Sequence, residues 1–195
     1  MPVPAAIYLV DLATGTPLVP APIEIPTPPG EVARTVRLGP GPGGEVAVVS
    51  FTTGGPTTFL ALSTSSFTPV ASLTESAGQT SATEMLPSPG GTEWLALFAG
   101  APAPFAVDGK LLVVDAATFT KKALISLGQE TQTDLLALPS DSLRRVFVAS
   151  GVPALFNGTD VLLELPSDPT TGVPVRHVLS NLAVGGNGRS LFTNR

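Results

Sequence analysis

The chain has 195 residues, 43% of them hydrophobic and only 13% charged, with a formal net charge of −5. That length supports one sizeable core, and so sparse and acidic a charge offers phosphates no attracting field, which argues against nucleic acid as a partner. With no cysteine present, disulfides, thiolate metal centres and thiol catalysis are excluded.

Gly (20) and Pro (21) together exceed a fifth of the chain, a composition that fits either disorder or many turns between short strands. Recurring apolar runs favour the strands. The opening "MPVPAAIYLVD" has no basic region and only a short apolar run, so it reads as mature sequence without a signal peptide, and no apolar stretch approaches the ~20 residues of a membrane span.

Taken in chain order, "IYLVDLATGT" from Ile7 is an apolar run closed by Asp11, and "FLALSTSSFT" from Phe59, "LLVVDAATFT" from Leu111 and "VLLELPSDPT" from Val161 repeat its plan at intervals of 52, 52 and 50 residues. A second series lies between them: "PGPGGEVAVVS" from Pro40, "PSPGGTEWLALFAG" from Pro87, "PSDSLRRVFVAS" from Pro139 and "VGGNGRSLFTNR" from Val184. Each is a turn followed by a short strand. Two landmarks keeping phase predict a duplicated unit of about 50 residues, the spacing of propeller blades. Strands of Val, Leu, Ile and Phe bounded by Gly, Pro, Asp and Ser give four strands per unit. Apolar residues on consecutive positions, as in "EVAVVS", predict strands covered on both faces. Asp11 and Asp115 close their strands, where a short carboxylate accepts backbone N–H bonds and fixes a turn.

The succession of a strand ending in Asp, "ATFTKKALISLG", "LALPSDS" and "RRVFVAS" resembles the YVTN-type β-propeller repeat of surface-layer and lactonase-like propellers, most closely over Leu111–Ser150, with "VFVAS" where the naming tetrapeptide stands. The resemblance implies blades whose strands a to d run from the axis outward. In that order the chain begins at strands c and d (Ile7 to Ile25), has three whole blades near Val32 to Thr74, Ala82 to Leu127 and Asp134 to Leu179, and ends with strands a and b near Asn181 to Thr193. The expectation is a single all-β domain, residues 1–195: a β-propeller of about four four-stranded blades, closed by pairing N-terminal strands with C-terminal strands. Closure within one chain ranks first, a fragment of a larger propeller or an open array second, and a homodimer through edge or split-blade pairing third.

Chemistry is sparse. His177 is the only histidine and no G-x-S-x-G elbow exists, so no catalytic residue, metal or cofactor is expected. Asp108, Asp160, Glu75, Glu130 and Asn157 fall in loops and read as solvated polar groups rather than cation ligands, and the glycine-rich turns lack a phosphate loop's Lys-Ser/Thr ending. Asn157–Thr159 matches a glycosylation acceptor pattern. Trp94 and Tyr8 read as packing residues, while Arg34 and Arg37, with Glu31 nearby, read as a channel wall rather than an anion site. The d-to-a and b-to-c loops would share one rim, which makes Glu31, Arg34, Glu75, Gln79, Asp108, Lys110, Gln129, Glu130, Asn157 and Asp160 the candidate binding residues for a protein or small polar ligand. The functional expectation is a non-enzymatic scaffold or interaction module, extracellular, periplasmic or on the cell surface. The alternatives are a lactonase-like hydrolase with a site in the central channel and a structural repeat that assembles through sheet edges.

Overall fold

The computed structural model describes residues 4–77, 81–101, 104–128, 132–137, 146–150, 160–164, 175–179, 182–184 and 191–193. These contain strands and no helix. The strands are β1 (Ala6–Ile7), β2 (Ile23–Glu24), β3 (Val32–Gly41), β4 (Gly44–Thr52), β5 (Thr57–Ser63), β6 (Pro69–Glu75), β7 (Ala82–Pro87) and β8 (Glu93–Phe98), then β9 (Gly109–Asp115), β10 (Lys121–Gly128), β11 (Gln132–Ala137), β12 (Val146–Ser150), β13 (Asp160–Glu164), β14 (Val175–Leu179), β15 (Leu182–Val184) and β16 (Leu191–Thr193). Three antiparallel sheets follow one another in sequence, with orders β3-β4-β5-β6, β7-β8-β9-β10 and β11-β12-β13-β14; β1-β2 and β15-β16 are two-stranded. Each larger sheet is a simple meander, the arrangement that short turns between neighbouring antiparallel strands produce.

One turn recurs three times, in the first hairpin and between the third and fourth strands of the first and second sheets. At Asp11, Ser63 and Asp115 the backbone N–H donates to the carbonyl five residues on (Thr16, Thr68 and Thr120; 2.9, 3.0 and 2.8 Å), and the same residue's carbonyl accepts from Gly15, Phe67 and Phe119 at 2.7, 2.8 and 2.8 Å. Closing so tight a loop needs a left-handed residue fourth after the first, and Gly15 (φ 68°), Phe67 (φ 55°) and Phe119 (φ 55°) supply it. The flanking hydroxyls pair identically, Thr14 with Thr16, Ser66 with Thr68 and Thr118 with Thr120, each at 2.7 Å. Asp11 Oδ1 accepts from Ala13 N at 2.7 Å and Asp115 Oδ1 from Thr118 N at 2.9 Å, so both acids hold turns as their position requires. The matching stretch of the sequence repeat, "PSDPT", lies outside the described residues.

The core forms between sheets. Because side chains alternate along a strand, Val46 and Val48 of β4 pack with Trp94, Ala96 and Phe98 of β8, while Ala47, Val49 and Phe51 turn the other way onto Ile25, Ala5 and Ile7 of the first hairpin. On the second sheet Leu95 and Leu97 face a cluster containing Leu135, Val146 and Val148 of the third. This sandwiching accounts for the unbroken apolar runs. First strands lie side by side, β3 against β7 and β7 against β11. All three carry a register shift within their first three residues, between Ala33 and Thr35, Ala82 and Glu84, and Gln132 and Asp134, which increases local twist.

Trp94 joins the first and second sheets. It is fully buried, its Nε1 donates to the Pro40 carbonyl at 2.7 Å, and its ring lies so close to Gly39 that a Cβ there would stand 2.8 Å from Cζ2. Tyr8 departs from the packing expectation: it lies just past β1 and is 73% exposed. The reason is that β1 has a strand on one side only. β1 pairs β2, β15 pairs β16, and no ladder among the described residues joins the two hairpins. The expected closing pair between the first hairpin and the segment around Leu191 is therefore not among the observed ladders.

Candidate functional site

Hydroxyl groups tie the first sheet to the start of the second. Ser81, ahead of β7, pairs with Thr52 Oγ1 at 2.6 Å and donates to the Gly55 carbonyl at 3.2 Å, while Ala82 N donates to Thr57 Oγ1 at 2.8 Å. These bonds bring the β4–β5 loop of the first sheet to the start of the second. In the second sheet Asp108 ties the β8–β9 loop to β10, since its carboxylate accepts from Ser126 Oγ at 2.6 Å and from Gly128 N at 2.8 Å and is paired with Lys110. Burial works to raise the Asp108 carboxyl, but hydrogen bonds from Lys110, Ser126 and Gly128 outweigh it and hold it below the ordinary value.

The other candidates divide as follows. Glu75 Oε2 pairs with Lys121 of β10 at 2.7 Å, linking the outer strands of two sheets. Glu31 Oε1 accepts from Thr58 Oγ1 at 3.1 Å, and its Oε2 is enclosed with no hydrogen-bond partner among the described residues. Arg34 is the extra residue of the β3 bulge and is exposed. Arg37, the other residue of the suggested channel wall, pairs with Glu84 of β7 at 2.6 Å, linking the first strands of two sheets. Asp160 opens β13 opposite Leu179. Gln79, Gln129, Glu130 and Asn157 lie outside the described residues. Among the described residues no group of three His, Cys, Asp or Glu side chains stands close enough to hold a metal ion. Glu75 and Asp108 thus act within the protein, as cross-links, rather than standing free in the loops as the sequence suggests.

Three features escape a reading of loops and acids. Glu93 is buried at the start of β8 and accepts from Ser88 Oγ at 2.8 Å, Thr92 Oγ1 at 2.6 Å and Lys122 Nζ at 3.0 Å. Burial favours its neutral form, yet the bonds from Thr92, Ser88 and Lys122 prevail and lower its pKa. Its sequence neighbours Ser88 and Thr92 are a legible signal, whereas Lys122 becomes one only once β9 and β10 are paired. Phe105, in the β8–β9 loop, is 79% exposed, an apolar ring in the same loop as Asp108. Finally, an open groove of about 220 Å³ runs between the first hairpin and β3, lined by Ala6, Ile7, Tyr8, Arg34 and Val36 among others.

No protein-family model matches the chain, and no curated protein matches it either.

Proposed function

We propose that the chain is a β-propeller of about four units, closed by strands from its two ends, that serves as a non-enzymatic scaffold or interaction module. The observation that carries this reading is the series of three four-stranded meanders with their first strands side by side. Apolar faces buried between successive sheets support it. A ring is the economical way for such a series to end without bare sheet edges. Solution mass with a small-angle scattering envelope tests the shape: a compact monomeric ring is expected, and an elongated particle or a filament would overturn it.

The rim carrying Phe105 and Asp108 is the proposed docking surface for a protein or small polar ligand, because an exposed aromatic beside satisfied polar groups supplies contact area at low desolvation cost. The surface or secreted setting rests on the composition and on the likeness to surface-layer repeats. Peptides selected by display against the folded chain should lose tenfold or more in affinity on Phe105→Ala. Selected peptides indifferent to that change would place the docking surface elsewhere.

A further inference from the structure

We infer that the outer edge of the first sheet, strand β6, is a docking site for an extended, uncharged peptide segment of a partner protein, which adds to the sheet as a fifth strand. The site lies apart from the surface around Phe105 and belongs to one sheet alone, so it exists whether or not the ends of the chain meet. β6 pairs with β5 on one side and, among the described residues, with no strand on the other. The ladder fixes which backbone groups are left over. Ser63 N donates to the Thr68 carbonyl on the β6 side, whereas Thr64 N donates to the Glu45 carbonyl on the β4 side. Hydrogen bonding alternates in this way along an antiparallel strand, so Ala61, Phe59 and Thr57 bond toward β6, where they stand opposite Ala71, Leu73 and Glu75. The N–H and C=O groups of Ser72 and Thr74 therefore point out of the sheet. Water can solvate them singly, but only another extended backbone matches the spacing of the row, and that names the class of ligand.

Neighbouring edges are guarded and this one is not. β10, the outer strand of the second sheet, carries Lys121 and Lys122, breaks its register twice, and has Gly128 N taken by the Asp108 carboxylate. β2 is two residues long. Lysine, bulges and brevity are the usual means by which an edge avoids pairing. β6 has no charged residue from Pro69 to Thr74, and its one register shift lies at the Pro69 end.

The side chains set the chemistry of the segment. Ala71 and Leu73 pack against the core between the first and second sheets, while Val70, Ser72 and Thr74 are exposed. Opposite residues on paired strands share a face, so a seated segment places apolar side chains beside Ala71 and Leu73 and small polar ones beside Ser72 and Thr74. A charge on it would lose hydration without meeting an opposite charge, since Glu75 at the end of the strand is already paired with Lys121. A second copy is the poorer occupant, because each chain brings a net charge of −5 and two such molecules repel, whereas a neutral segment meets no opposing field.

The test titrates the full-length chain into a blocked, dye-labelled synthetic peptide of alternating valine and threonine, read by fluorescence anisotropy. Binding is expected, with a loss of about tenfold or more on Ser72→Pro, which removes an outward N–H but no ladder bond, and on Thr74→Lys, which charges the edge. Urea midpoints check that both variants stay folded; should the proline lower its midpoint, the lysine variant decides. Of two peptides methylated on complementary alternate backbone nitrogens, one should lose binding and the other keep it, because an added strand uses only one of its edges. No binding by the parent chain, binding that Thr74→Lys leaves intact, or equal behaviour of the two methylated peptides would overturn the site. Sedimentation of the chain alone reads the other occupant: a concentration-dependent dimer that Thr74→Lys dissolves would overturn the choice of a partner's segment. An elongated particle in scattering with peptide binding intact removes the propeller reading and leaves this site standing; a compact ring that ignores the peptide does the reverse.

Discussion

At the scale of single residues, the joint between the first two sheets depends on a missing side chain. Gly39 leaves room for the Trp94 ring, and a Cβ would meet Cζ2 at 2.8 Å, Cη2 at 2.9 Å and Pro87 Cβ at 3.3 Å. Gly39→Ala should therefore cost about 1–3 kcal/mol by overpacking, read as a lower urea midpoint with an unchanged slope. The paired phenylalanines of the recurring turn make a second comparison. Both sit at φ 55°, a region unfavourable for bulky side chains but accessible to Asn. Phe119 is buried in the core and Phe67 is only partly buried. Phe119→Asn should lose roughly 3 kcal/mol or more through its cavity, whereas Phe67→Asn should fall within about 1 kcal/mol of the parent because relief of strain offsets lost contact. Equal losses in thermal unfolding would contradict that account. The turn acids were legible in sequence because their bonds are local. The Gly39–Trp94 contact was not, since it joins residues 55 positions apart in different sheets.

At the scale of elements, polar cross-links join β8 to β10 and the β8–β9 loop to β10, and their titration makes the fold sensitive to acid. Glu93 and Asp108 have carboxyl pKa values below their ordinary 4.5 and 3.8. Their contribution to stability is full above those ordinary values and is lost as pH falls through the lower folded-state values. The urea midpoint should hold from about pH 7 to about pH 5 and then fall toward pH 3. Glu93→Gln should start less stable, with Lys122 left unpaired, but lose less over the same descent. A parent and variant with parallel pH profiles would remove Glu93 from the explanation. The strands themselves could be read from the sequence, because apolar runs bounded by Gly, Pro and Asp fix where pairing starts and stops. The loop acids could not be read as cross-links, since the partners of Glu75 and Asp108 come from other strands.

At the scale of the whole molecule, sheets packed face to face should dominate stability, with the ion pairs between them contributing little. Arg37 and Glu84 are 44% and 26% exposed, and water screens such pairs, so Glu84→Ala should change stability by no more than about 1 kcal/mol. Hydrogen exchange should show the reverse hierarchy to a uniform shell: slowest at β8 and β9, covered on both faces, and faster at β1 and β2. Slow exchange at β1 matching that of β8 would mean that its edge is already covered. The series of sheets was visible in the phase of two sequence landmarks, but the packing of one sheet on the next is a property of long-range contacts that no local pattern encodes. One feature of this arrangement has practical value. Trp94 is the only tryptophan and is wedged at a single joint, donating its indole proton to Pro40. The intrinsic fluorescence of the protein is thus an optical gauge of one seam, and a red shift in its emission preceding any loss of circular dichroism would record the first two sheets parting while each remains intact.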